Sequence, residues 1–155
     1  MKDIWAPWRI EYIKGPKSGS CIFCDALKSG NPLILKRGPG CFAIMNRYPY
    51  TAGHCMVVPD RHVGDLVELS PEEASSMMSL AGELMTAIRS AMSPEGFNVG
   101  CNIGKVAGAG IADHFHLHVV PRWNGDTNFM PVLGDVHIVS EHILKTRDKI
   151  AGLLP

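Results

Sequence analysis

Four short stretches, at 41–46, 54–58, 97–103 and 115–121, run apolar or alternate and are bounded by Gly, Pro or Asn. Such runs predict β-strands. The interval between the first two, Tyr48 to Gly53, is short enough to join an antiparallel pair. A longer segment carries the helical period instead. Ser70 offers an N-cap, Pro71 suits the first helical position and Glu73 completes a capping box. The body that follows, 74–92, sets Met78, Leu80, Ala81, Leu84, Met85 and Ile88 near helical spacing, a core-facing stripe with methionine as filler. A second helix is expected over 140–153, with Ile143, Leu144 and Ile150 inward. Strands mostly adjacent in sequence, with helices inserted between them, predict an α+β fold built on an antiparallel sheet.

The punctuation Lys14-Gly15-Pro16-Lys17-Ser18-Gly19-Ser20 is the best loop candidate and separates an N-terminal extension, 1–20, from a single domain, 21–155. A chain of 155 residues without internal repeats suits one domain. Lys+Arg and Asp+Glu both number 15, so there is no overall charge to attract nucleic acid or anionic lipid. Any phosphate binding must therefore come from a local site, and neither nucleic acid nor a membrane is expected as a partner. No apolar run approaches the ~18 residues of a membrane span, and the N-terminus lacks the apolar core of a secretion signal. Five cysteines, an odd number, do not read as a disulfide framework. A reducing, cytoplasmic location is expected.

The chemistry concentrates in Asp113-His114-Phe115-His116-Leu117-His118-Val119-Val120-Pro121-Arg122. In a strand, alternate residues share a face, so His114, His116 and His118 line one side, about 6.6 Å apart from each to the next. Phe115, Leu117 and Val119 fill the other, the core side. A single histidine here would read as a satisfied polar residue. Three on alternate positions need a purpose, since crowding imidazoles depresses their pKa values and costs stability. They either bind one metal, or supply a nucleophile with two supports. Before them, Gly104, Gly108 and Gly110 form a loop whose backbone could approach an anion, an oxyanion cradle beside the nucleophile.

Cys21-Ile22-Phe23-Cys24 has zinc-knuckle spacing, although a redox pair and plain free thiols share that pattern. Zinc needs two further ligands. His62 and His114 are candidates, but spacing alone does not select them from seven histidines.

Two blocks resemble the histidine triad (HIT) superfamily. One is Asn46-Arg47-Tyr48-Pro49-Tyr50-Thr51-Ala52-Gly53-His54-Cys55-Met56-Val57-Val58-Pro59-Asp60-Arg61-His62; the other is the triad with its Gly-rich approach. With the cysteine pair and the long helix, the similarity spans about residues 21–123. The resemblance implies an antiparallel sheet of about five strands with two helices, paired into a homodimer. It implies that His116 is the nucleophile of a covalent nucleotidyl-histidine intermediate, that His118 binds phosphate oxygens and that His114 orients the site. By the same token Asn46 holds the ribose hydroxyls, and Asn102 lies near the phosphates with Gly108 and Gly110. In zinc-bearing members the equivalents of Cys21, Cys24, His62 and His114 hold a structural zinc; no organic cofactor is implied.

Pro121-Arg122-Trp123-Asn124-Gly125-Asp126-Thr127-Asn128-Phe129-Met130 and Trp5-Ala6-Pro7-Trp8-Arg9 are similar to bacterial diadenosine-tetraphosphate phosphorylases. Many hydrolytic members carry Gly-Gln and then Ser or Thr before the triad, where this chain has Ala109-Gly110-Ile111. The missing side-chain amide favours inorganic phosphate as acceptor, with water, and hence hydrolysis, as the alternative. The expected function is thus nucleotidyl transfer from an adenosine polyphosphate, such as a dinucleoside polyphosphate, through His116. Two rivals are a metal-dependent phosphohydrolase with the triad as ligands and a non-catalytic nucleotide-binding regulatory module. A zinc nucleic-acid module is a third, disfavoured by the balanced charge.

Overall fold

The protein is described by a computed structural model that covers residues 20–126 and 141–155. The elements run α1 (Ile22–Ser29), β1 (Ile34–Gly38), β2 (Cys41–Met45), β3 (Cys55–Pro59), α2 (Pro71–Met92), β4 (Gly96–Gly100), β5 (Leu117–Arg122) and α3 (Ile143–Ala151). Short 3-10 turns at Leu66–Glu68 and Lys105–Ala107 punctuate the connections. The loop at Lys14, the block from Trp5 to Arg9 and the segment from Thr127 to Met130 lie outside the described residues.

Five strands form one antiparallel sheet in the order β1-β2-β3-β5-β4. Every residue of β2 and β3 is buried, because both faces of the sheet are covered. Cys41, Ala43, Met45, Cys55 and Val57 point towards α2 and α3, joined there by Phe115 and Val119. Phe42, Ile44, Met56 and Val58 point the opposite way and meet Phe23 and Ala26 of α1. The period-2 alternation of strands sorts one apolar run into two cores.

The expected α+β class and five-stranded sheet are present, and β2 pairs with β3 through the Tyr48–Gly53 connection as the spacing required. A third helix, α1, adds to the two expected. Helix α2 starts as its cap foretold: the Ser70 hydroxyl accepts from the Glu73 N–H at 3.2 Å, and the Ser70 N–H donates to the Glu73 carboxylate at 2.8 Å. Its buried stripe is Met77, Leu80, Ala81, Leu84, Ala87 and Ile88. Met78 is instead 59% exposed, because Met77, not Met78, falls in line with Leu80, Ala81 and Leu84. In α3 Ile150 is buried as expected, whereas Leu144 faces outward.

Two strands are displaced from their expected bounds. Strand β4 ends at Gly100 rather than 103, since Cys101 and Asn102 leave the sheet to begin the Gly-rich loop. Strand β5 begins at Leu117 rather than 115. His114 and His116 thus lie on the approach to the strand, where the Phe115 N–H donates to the Val63 carbonyl. Among the described residues, no helix is long and apolar enough to cross a membrane.

Candidate active site and metal cluster

The three histidines share the α1 side of the sheet, while Phe115 and Val119 enter the α2 core. Phe23, from between the two cysteines, packs its ring 5.4 Å from that of His114 and 5.2 Å from that of His116. The His116 and His118 rings lie 4.9 Å apart, edge to face. Each ring has a distinct set of partners, and these partners fix where its proton sits.

His116 is only 6% exposed. Its Nδ1 lies 2.8 Å from the His114 carbonyl oxygen, which can only accept, so Nδ1 carries the proton and Nε2 keeps its lone pair. Nε2 has no protein partner, yet it is absent from the fully buried unpaired atoms among the described residues. It is therefore the nitrogen that reaches solvent. Burial pushes the His116 pKa down against the opposing effect of that hydrogen bond, so the ring is neutral at pH 7.

His118 has the opposite arrangement, set by a residue to which the sequence reading gave no role. The Tyr50 N–H donates to His54 Nδ1 at 3.0 Å, which places the His54 proton on Nε2. That Nε2–H donates to His118 Nδ1 at 2.9 Å, so the proton of His118 sits on its own Nε2. His54 is completely buried and its pKa is pushed down to about 3, first by desolvation and then by repulsion from His118 and His116. Tyr50 stacks on it, with centroids 4.7 Å apart. The one clue in the sequence is a histidine at the mouth of a wholly apolar strand.

His114 turns away from the other two. Its Nε2–H donates to the Pro59 carbonyl at 2.9 Å, leaving the Nδ1 lone pair directed at Cys21 Sγ (3.2 Å), His62 Nδ1 (3.2 Å) and Cys24 Sγ (3.6 Å). Cys24 Sγ is 3.4 Å from His62 Nδ1. Donors around a tetrahedral zinc at 2.0–2.3 Å are separated by roughly 3.3–3.8 Å, so these spacings suit a four-coordinate ion. The Pro59 bond is the outer contact that orients a ligating imidazole. Burial, and then the neighbouring Cys21 thiol, push the Cys24 thiol up, a penalty that a divalent cation reverses. The residues present therefore fit zinc. Among the described residues, this cluster takes in His114 but neither His116 nor His118.

Asn46 lies at the end of β2, with its amide nitrogen 3.4 Å from the His54 ring and its oxygen accepting from the Tyr48 N–H. Asn102 lines the same trough as His118. The Gly-rich loop differs from the cradle expected at Gly108. The N–H groups of Ala107, Gly108 and Ala109 donate to carbonyls of Gly104 and Lys105, and so are engaged within the turn. Gly108 lies against the Asn102 amide and has φ +87, a left-handed backbone that favours glycine at this turn of the loop. Gly110 closes the same loop and makes a contact of its own.

A family model described as the HIT domain matches residues 32–125. An AP-4-A phosphorylase of Mycobacterium tuberculosis is 34% identical over 162 aligned positions, covering 97% of this chain and 83% of the relative. An adenosine 5'-monophosphoramidase of Schizosaccharomyces pombe is 33% identical over 106 positions, 68% of this chain and 76% of the relative. Among solved structures, a zinc-bound histidine triad family protein from Mycobacterium smegmatis superposes with a TM-score of 0.72 at 27% identity, covering 86% of this chain and 92% of its own. This chain belongs to the HIT domain family.

Proposed function

We propose that the protein transfers a nucleotidyl group from an adenosine polyphosphate, of the diadenosine tetraphosphate type, to inorganic phosphate by way of His116. The observation that carries this reading is the opposed proton placement of two adjacent rings. His116 offers a lone pair on Nε2, and His118 offers a hydrogen on its Nε2. That pairing suits attack on phosphorus with simultaneous stabilisation of a non-bridging oxygen. The activities named for the two curated relatives support the substrate class.

In the first step His116 Nε2 forms a bond to the α-phosphorus. The P–O bond to the rest of the substrate breaks, and its electron pair leaves on that oxygen. In the second, a phosphate oxygen attacks the same phosphorus and the N–P electron pair returns to Nε2. From diadenosine tetraphosphate the products are ATP and ADP; with water as acceptor, AMP replaces ADP. Ala109-Gly110-Ile111, with no side-chain amide, supports phosphate. Asn46 would hold the ribose, while Asn102, beside Gly108, would meet the phosphates together with the loop that carries Gly108 and Gly110. Cys21, Cys24, His62 and His114 would hold a structural zinc that fixes the start of the triad segment and supplies no open position for chemistry. A homodimer would have the unpaired edge of β4 available for extending the sheet.

The test is cleavage of diadenosine tetraphosphate with and without inorganic phosphate. Phosphate-dependent ADP is expected, and His116→Ala should abolish turnover while nucleotide still binds. Turnover retained by that variant would end the proposal.

A further inference from the structure

Beyond His118 the sheet surface opens into a trough of 430 Å³, a volume within the range of small-molecule sites. Its shape follows from strand register. Gly100 stands opposite His118, Asn98 opposite Val120 and Gly96 opposite Arg122. Directly paired residues share a face, so Gly100 leaves bare backbone beside His118 within the trough. A Cβ at either glycine would meet nothing within 4 Å. Tyr50 and Thr51 line the trough as well, with Asn102 at its His118 end.

At the far end Arg122 is held rigid. Its Nε and Nη2 donate to the two oxygens of Asp126, the second at 2.9 Å, and its Nη1 donates to Asn98 Oδ1 at 2.8 Å. A guanidinium has five N–H donors, so two remain for another acceptor. From His118 to Arg122 the strand advances about 13 Å. A phosphorus over His116 Nε2 therefore has a trough running away from it, past the His118 donor to a fixed cation.

We infer that this trough is the leaving-group subsite, and that Asn98 and Arg122 select a polyphosphate chain as the departing half of the substrate. The inference rests on the nucleotidyl-transfer reading and deepens it. Arg122 meets the distal phosphates through its two remaining N–H groups. Asp126 and Asn98 already hold the fork in place, so little side-chain freedom is lost on binding. A small leaving group, which ends near His118, makes neither contact.

The experiment compares two substrates with the same adenylyl half. Diadenosine tetraphosphate releases ATP, whereas adenosine 5'-phosphoramidate releases only ammonia. The ratio of their kcat/KM values is measured for the wild type, for Arg122→Gln and for Asn98→Asp, with circular dichroism confirming the fold. Arg122→Gln removes the cation. Asn98→Asp is isosteric and exposed, keeps the Arg122 contact and sets a negative charge in the path of the phosphates. The ratio should fall about tenfold in each, the scale expected for a charge-assisted hydrogen bond. A ratio unchanged in both variants overturns the subsite, with the parent activity standing. A wild-type protein inert towards both substrates removes nucleotidyl transfer itself, and the subsite with it.

Discussion

The tautomer of a single imidazole decides whether it can act as nucleophile or as donor, and here backbone groups make that choice. A backbone carbonyl sets His116, and a backbone N–H acting through His54 sets His118. His54→Phe fills a similar space but cannot donate. His118 is then free to take either tautomer, and kcat should fall roughly tenfold or more, with KM little changed, in steady-state assays. The same variant has a pH signature. The unfolded His54 takes up a proton near pH 6.5, the folded one only near 3, so between those values the unfolded state binds the extra proton. Stability is full above about pH 6.5 and falls on acidification, by roughly 1.4 kcal/mol per pH unit. Urea unfolding at pH 7 and pH 5 should show a steeper loss for the wild type than for His54→Phe. The triad was legible because strand alternation is local. His54 was not, because its partner lies 64 positions away and is met only across the β3–β5 pairing.

Among the elements, α2 was legible nearly to the residue, since Ser70, Pro71 and Glu73 announce its start through bonds that span three positions. Ser70→Ala should cost about 1 kcal/mol, read as a lower urea midpoint at constant m-value. Hydrogen bonding to Arg61, and then to the Ser70 N–H, brings the Glu73 carboxyl down to about 2. This part of the cap therefore contributes above the usual carboxylate range and is lost only as the pH falls towards 2. Strand β1 and helix α1 escaped notice for opposite reasons. Lys36 and Arg37 interrupt the apolar pattern of β1, and Lys36 is satisfied by Glu83 at 2.7 Å from α2, which no local window contains. Helix α1 has eight residues and an N-cap, Cys21, that makes no side-chain capping bond. It is held by the burial of Phe23 against the sheet and the histidines.

At the scale of the whole molecule, fold class could be read from the order of elements, whereas the metal cluster could be named only through the family resemblance and not from spacing. Its four residues come from three places in the chain, and nothing local sets His62 and His114 apart from the other histidines until folding brings them to the cysteine pair. Closing a loop of 93 positions between Cys21 and His114 restrains the unfolded chain, so zinc should stabilise the whole domain. Stripping the metal with a chelator should lower the thermal midpoint by several degrees, and zinc should restore it. Cys24→Ser should show the lower midpoint and respond weakly to added zinc. The glycines at the two ends of β4 have an effect at the molecular boundary as well. Gly96 and Gly100 bracket β4, one of the two edge strands of the sheet, and glycine is a poor partner for strand addition. Casual pairing with foreign strands is thus discouraged, and a sheet extended across this edge, as in the proposed homodimer, would need side-chain contacts beyond the backbone ladder to hold it.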